Sequence, residues 1–202
     1  MNMAYKNVTI SGLPGNGSTT LLRLLKEHLK DWQGFSGGEF MRLHAAEKGL
    51  FDATTNKFHH DATVYNEDFD REVDYGMRKR LETESHWILE SWLSGFMAQG
   101  VDGTLKVLMI CSDDAVRIDR IVNRDDISIE DAKKHVMERK QKNLEKWSRM
   151  YAKEWNEWVV ARGLVQPSDP IDFWLPSLYD VVIDTYSHSR EQTLETVLKA
   201  LQ

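Results

Sequence analysis

The residues best suited to chemistry stand at the front of the chain, in Gly12-Leu13-Pro14-Gly15-Asn16-Gly17-Ser18-Thr19-Thr20. Glycines at 12, 15 and 17 let a backbone curl until successive N–H groups point at one anion. The loop follows an apolar strand and opens an amphipathic helix, the context a phosphate-binding loop requires. The helix adds the positive end of its dipole at the same place. Thr19 falls where that loop pattern puts the hydroxyl that binds a nucleotide's Mg²⁺. Ser18 stands where it usually has a lysine that reaches the β- and γ-phosphates. Gly12, Gly15, Asn16, Gly17, Ser18, Thr19 and Thr20 are therefore the expected nucleotide-binding residues. A Gly-rich turn with no ligand is the alternative.

Other candidates are cationic or acidic. From Lys133 to Arg149 seven basic residues meet two acidic ones, in a chain of 202 residues with net charge -6. A cationic segment in an acidic protein suits a small polyanion such as a nucleotide, although a solvated helix face has the same composition. The overall charge argues against general nucleic-acid binding. Asp70 and Asp74 lie one turn apart on a helix face, placed to touch a base or ribose or to form a solvated acidic surface. Trp147, Tyr151, Trp155 and Trp158 have helical spacing and read as core or interface. His59-His60 lacks chelating geometry and supporting ligands, so no structural metal is expected.

The elements that must position these residues alternate between strand and helix. Strands are expected at Asn7–Ser11, 33–36, Trp87–Ser91, Leu105–Cys111 and Val181–Asp184. Helices are expected at 18–29, 38–48, 67–83, 113–123, from Ser128 onward, and 189–201. Phe51–Asp61 reads as a loop, and three prolines after Gln166 punctuate another. That order implies an α/β fold: a parallel sheet of about five strands with helices on both faces. Ligands bind at the carboxyl ends of such strands, where Gly12, Glu90, Ser112 and Thr185 belong. The length suits one domain. No apolar run approaches the roughly 20 residues that cross a bilayer, and Met1–Lys6 does not resemble a signal peptide. The lone Cys111 excludes an internal disulfide and reads as a buried thiol. A cytoplasmic protein with no membrane partner is expected.

Taken together, the motifs resemble the cytidylate kinases, in particular their archaeal branch, over most of the chain. Gly12–Thr20 is similar to a branch loop that already lacks the lysine. Ser36-Gly37-Gly38-Glu39-Phe40-Met41-Arg42 resembles the family's Ser-x-Gly-[Glu/Asp]-x-x-Arg. Asp70-Arg71-Glu72-Val73-Asp74 looks like its Asp-x-x-Ile-Asp helix. Leu89 to Met97 parallels Leu-Glu-Gly-Arg-Leu-x-Gly-Trp-Met, and Tyr179 to Thr185 resembles the closing Tyr-Asp-Leu-Val-Ile-Asp-Thr.

The resemblance implies a three-layer P-loop NTPase fold with a helical lid, an acceptor-binding region over about 37–85 and the lid over about 124–150. It implies transfer of the ATP γ-phosphate to CMP or dCMP with Mg²⁺. Arg42 would anchor the acceptor phosphate, Asp70 would border its pocket, and Arg124 and Arg139 would close over the transferring group with Thr19. A monomer is expected. Trp92 departs from the pattern: the family has an arginine there that grips the acceptor phosphate, and an indole could instead stack on a base or ribose. Lys140 and Asn143 replace lid acids, Lys146 replaces an arginine, and Lys153–Ser177 is longer than its counterpart. Two further readings share these residues: a kinase for another small acceptor, and a nucleotide-binding relative that has lost catalysis.

Overall fold

The computed structural model describes residues 4–47 and 66–202. The loop expected at Phe51–Asp61, the His59-His60 pair and the expected end of the second helix at Gly49 lie outside them.

Five strands form one parallel sheet: β1 (Asn7–Gly12), β2 (Gln33–Ser36), β3 (Trp87–Glu90), β4 (Thr104–Ile110) and β5 (Val181–Asp184), in the order β2-β3-β1-β4-β5. β1 is central. The chain leaves it toward β2 and β3 on one side and later fills β4 and β5 on the other. The carboxyl end of β1 is thus the switch point where a ligand cleft opens, and Gly12 ends the strand there.

Alternation along the strands builds two apolar layers. Val8 and Ile10, Ile88, Leu105, Val107 and Met109 pack against Leu21, Leu22 and Leu25 of α1 (Ser18–His28) and Leu194, Val197 and Leu201 at α8 (Arg190–Ala200). Leu25 is fully buried, so Leu25→Ala would cost about 2–5 kcal/mol. On the opposite face, Trp87 and Leu89 meet Met77 and Leu81 of α3 (Glu67–Thr83). Leu108 meets Phe96 and Met97 of the short α4 (Ser94–Met97). The polar residues of β1 that point this way are buried but satisfied. Asn7 donates to the carbonyls of Leu81 and Glu84, both at 3.0 Å, and Ser11 Oγ accepts from the Gly95 N–H at 2.8 Å.

α2 (Gly37–Glu47) follows β2 directly. α5 (Asp114–Asp125) starts at an Asp113 cap and ends with Asp126 in the left-handed region. α6 (Ile129–Met150) starts at Ser128, which accepts from the Asp131 N–H, and packs on α5 through Ile118, Ile121, Ala132 and Val136. Beyond it, α7 (Ala152–Trp155) and a π-helical turn at Asn156–Val160 continue the helical path. Helical spacing of the aromatic residues up to Trp158 fits this continuation, but not the change to a π-helical turn. These two elements carry the expected aromatic stripe inward: Tyr151 and Trp155 are buried with Val159, Val165 and Phe173 against Phe96. The longer segment therefore contributes Trp155, Val159, Val165 and Phe173 to this core, while residues 166–170 are exposed.

Candidate active site

The loop between β1 and α1 is set by backbone contacts. Gly15 has φ 83° and Gly17 φ 89°, a region costly for residues with a Cβ. At Gly15 a Cβ would also lie 2.7 Å from the Arg117 carbonyl oxygen, and at Gly12 it would lie 2.9 Å from that of Met109. The Asn16 N–H bonds the Leu13 carbonyl at 3.1 Å, and its buried side chain donates to the Met109 carbonyl at 2.9 Å. Asn16 thus helps to shape the loop. The N-cap position, Gly17, offers no side-chain cap. The N–H groups of Ser18, Thr19 and Thr20 come before the first intrahelical bond, Leu21 N–H to Gly17 at 3.1 Å, so the turn presents donors and dipole together. Thr19 is exposed at this turn and Thr20 half-buried.

Two arginines of α5 frame the loop. Arg120 donates to the Gly15 carbonyl (3.2 Å), to Thr185 Oγ1 (2.7 Å) and to the Thr185 carbonyl (2.9 Å), clamping the loop to the end of β5. Arg117 packs its stem on Gly15. Asp184 caps its own turn, accepting from the N–H groups of Ser112 (2.9 Å) and Tyr186 (3.1 Å), bonds that hold its carboxyl below the usual range.

Ser18 does not point outward. Its Oγ donates to Glu90 Oε1 at 2.7 Å, and both residues are buried. Burial pushes the Glu90 carboxyl up; the Ser18 bond and the Arg124 charge pull it down, while Glu39 pushes it further up. Glu39 itself accepts from the N–H and hydroxyl of Ser36 at 2.7 and 2.9 Å. Glu90 was not singled out as a site residue. Its signal was there, a carboxylate ending the apolar run Trp87-Ile88-Leu89. Arg124 lies at the end of α5 with its guanidinium on Asp125, two bonds of 2.7 Å.

The acceptor side is organised differently. Arg42 lies on α2, but its side chain is outside the described residues. Asp70 pairs with Lys146 at 2.5 Å, with both side chains about 15% exposed, so its carboxylate is already neutralised. Asp74 is half-buried and accepts from Tyr151 OH at 2.6 Å; loss of solvent around it pushes its carboxyl up to about 7. Neither aspartate forms the solvated acidic surface that the sequence allowed. Arg71 bonds Glu154 and the Met150 carbonyl, and Arg149 bonds Glu67. α3 is thereby strapped to the C-terminal end of α6 and to α7. Trp92 is partly exposed, and the Arg139 guanidinium lies 5.0 Å from its ring centroid, where a stacking base would compete with it. Its rim meets Trp147 at 5.6 Å and Trp174 at 6.1 Å.

The sheet order, the glycine-shaped loop and the dipole-bearing helix define a P-loop kinase fold. A family profile described as "AAA domain" matches residues 8–141. The shikimate kinase of Acinetobacter baumannii, solved in complex with shikimate, has a TM-score of 0.52 at 12% identity, covering 98% of this chain and 93% of that one. This likeness shows the fold alone. A cytidylate kinase of Methanopyrus kandleri is 33% identical, covering 96% of this chain and 91% of that protein. One of Methanosarcina acetivorans is 30% identical, covering 96% and 95%. The chain belongs to the cytidylate kinase family, and is a phosphotransferase. Among the described residues no helix is long and apolar enough to cross a membrane.

Proposed function

We propose that this chain transfers the γ-phosphate of ATP to CMP or dCMP. The reading is carried by the uncapped start of α1 inside a glycine-shaped loop, in a chain aligned along 96% of its length with cytidylate kinases. Phosphoryl transfer asks a protein for positioning and charge compensation more than for covalent chemistry. The amides of Gly15, Gly17, Ser18 and Thr19 hold the donor's β-phosphate. Arg42 anchors the acceptor phosphate. Arg124 and Arg139, on the lid formed by about 124–150, spread the charge that develops on the transferring group. No general base is needed, because the acceptor phosphate oxygen is already anionic.

Mg²⁺ fits the donor set: the exposed Thr19 hydroxyl and the buried Glu90 carboxylate are hard oxygen ligands beside the loop. When bound, it offsets charge on the β- and γ-phosphates. Ser18 supports this by orienting Glu90, and it does not bring the charge that a lysine in its place carries to the β- and γ-phosphates. Residues 1–202 act as one domain, with acceptor contacts over about 37–85, in the cytoplasm and as a monomer.

The test is to incubate the protein with Mg²⁺-ATP and CMP, dCMP, UMP, AMP, GMP or dTMP and measure ADP. Release dependent on CMP or dCMP is the expected outcome. Release with another acceptor would move the specificity. ATP binding without acceptor-dependent ADP would point to a relative that has lost catalysis or to a kinase whose acceptor lies outside this panel.

A further inference from the structure

Three indoles that are far apart in sequence meet beside the end of β3. Trp92 lies two residues beyond Glu90, Trp147 is on α6, and Trp174 comes from the longer segment that follows α7. Their rings meet edge to face: Trp92–Trp147 at 76°, Trp92–Trp174 at 69° and Trp147–Trp174 at 60°. Trp174 Nε1 also donates to the Trp92 carbonyl at 2.9 Å, which ties the backbone of residue 92 to the segment. On α6, Arg139, Asn143 and Trp147 stand at i, i+4 and i+8, so they share one face. Asn143 is 4% exposed. That face turns toward Trp92, and the Arg139 guanidinium lies over the Trp92 ring.

Each contact restricts a different freedom. The bond from Trp174 fixes the main chain at 92. The two edge-to-face contacts fix the rotamer of Trp92. The remaining face is negative by its quadrupole and takes a planar cation. Arginine suits it better than lysine, because the guanidinium is flat and weakly hydrated.

We propose that Trp92 is a positioning residue that seats Arg139 at the active site, and that Trp174 makes the 153–177 segment part of this seat. What Arg139 does there rests on the kinase reading above; that Trp92 seats it does not. The seat explains why the segment carries a tryptophan at 174, and why an indole is useful at 92.

The test compares Trp92→Leu, Trp92→Phe, Arg139→Met and the Trp92→Leu/Arg139→Met pair, using the acceptor that the panel identifies. Trp92→Leu should lower kcat roughly ten- to thirtyfold while the KM for ATP moves less than about twofold, and Trp92→Phe, which keeps an aromatic face, should recover to within about threefold of the parent. In the Trp92→Leu background, Arg139→Met should lower kcat clearly less than it does in the parent, because the arginine has already lost its contact with the indole. Multiplying losses, or a Phe variant as poor as Leu, would overturn the proposal. Thermal unfolding of the same four proteins needs no acceptor and so separates this proposal from the kinase reading. The two single Tm decreases should exceed the decrease of the pair when added. Strict additivity would overturn the seat even if no acceptor supported turnover.

Discussion

The two halves of the ligand edge are made of different materials. Around β1, β4 and β5 the surface that would meet phosphate is backbone, bent by Gly15 and Gly17 and clamped by Arg120 to Thr185. Around β3, α3 and α6 it is side chain: Asp70 on Lys146, Asp74 on Tyr151, Arg71 on Glu154, Arg139 on Trp92. A backbone site tolerates change in its side chains and fails when a φ angle is denied. A side-chain site does the opposite, since any one exchange rewires it locally and leaves the fold in place.

Gly15→Val should break the comparison most severely. A branched residue cannot hold φ 83°, and its Cβ would lie 2.7 Å from a main-chain oxygen. ATP binding measured by calorimetry should disappear. At Gly17 the nearest atom to an added Cβ is Thr185 Cγ2, at 3.5 Å, so Gly17→Ala should fold and pay only the backbone strain of about 1–3 kcal/mol. Equal effects at the two glycines would mean that the loop is not shaped by contact with α5.

Arg71→Met tests the other half. It removes the charged partner of the buried Glu154, whose side chain is 6% exposed and which keeps the Tyr75 hydroxyl at 2.6 Å. The loss in denaturant unfolding should be about 2–3 kcal/mol, less than a fully buried pair because Arg71 is 35% exposed. ATP affinity should stay within about twofold, since no ligand of the loop is touched. A large loss of ATP binding would show that the two halves are coupled.

Asp74 sharpens the picture through pH. Its folded carboxyl is pushed up to about 7 by burial, against about 3.9 unfolded. Between those values the folded state holds a proton that the unfolded chain has released, so stability falls as pH rises from about 4 to about 7 and levels off above. Asp74→Asn should flatten this slope and raise Tm at pH 8, with little change at pH 4. A slope unchanged by the substitution would place the proton elsewhere. The smallest effect is expected at Arg23→Ala, which removes an exposed i,i+4 pair with Glu27 and should cost no more than about 0.5 kcal/mol.

Much of this architecture was legible in the sequence. The strands fell within a residue or two of their observed ends, because a buried parallel strand is a short apolar run between breakers. The loop was legible because glycine spacing is local information. Glu90, by contrast, could be placed at a strand end but not bound to Ser18, which is 72 residues away. Asp70 and Asp74 were visible as one helix face, yet nothing in their spacing said that Lys146 and Tyr151 would cover it. The break between α6 and α7 and the π-helical turn were not legible, because the aromatic stripe keeps a helical spacing from Trp147 to Trp158 straight through them.

By itself, then, the amino-acid order determined the parallel α/β fold, the phosphate loop and the family, since each depends on φ preference, hydrophobic period or short-range spacing. Only the tertiary structure decided which charges are neutralised, that Ser18 serves Glu90, and that Trp92 carries Arg139 with the help of Trp174. Hydrogen bonds and cation–π contacts act over a few ångströms, and only the folded chain brings residues 92, 139 and 174 within that reach.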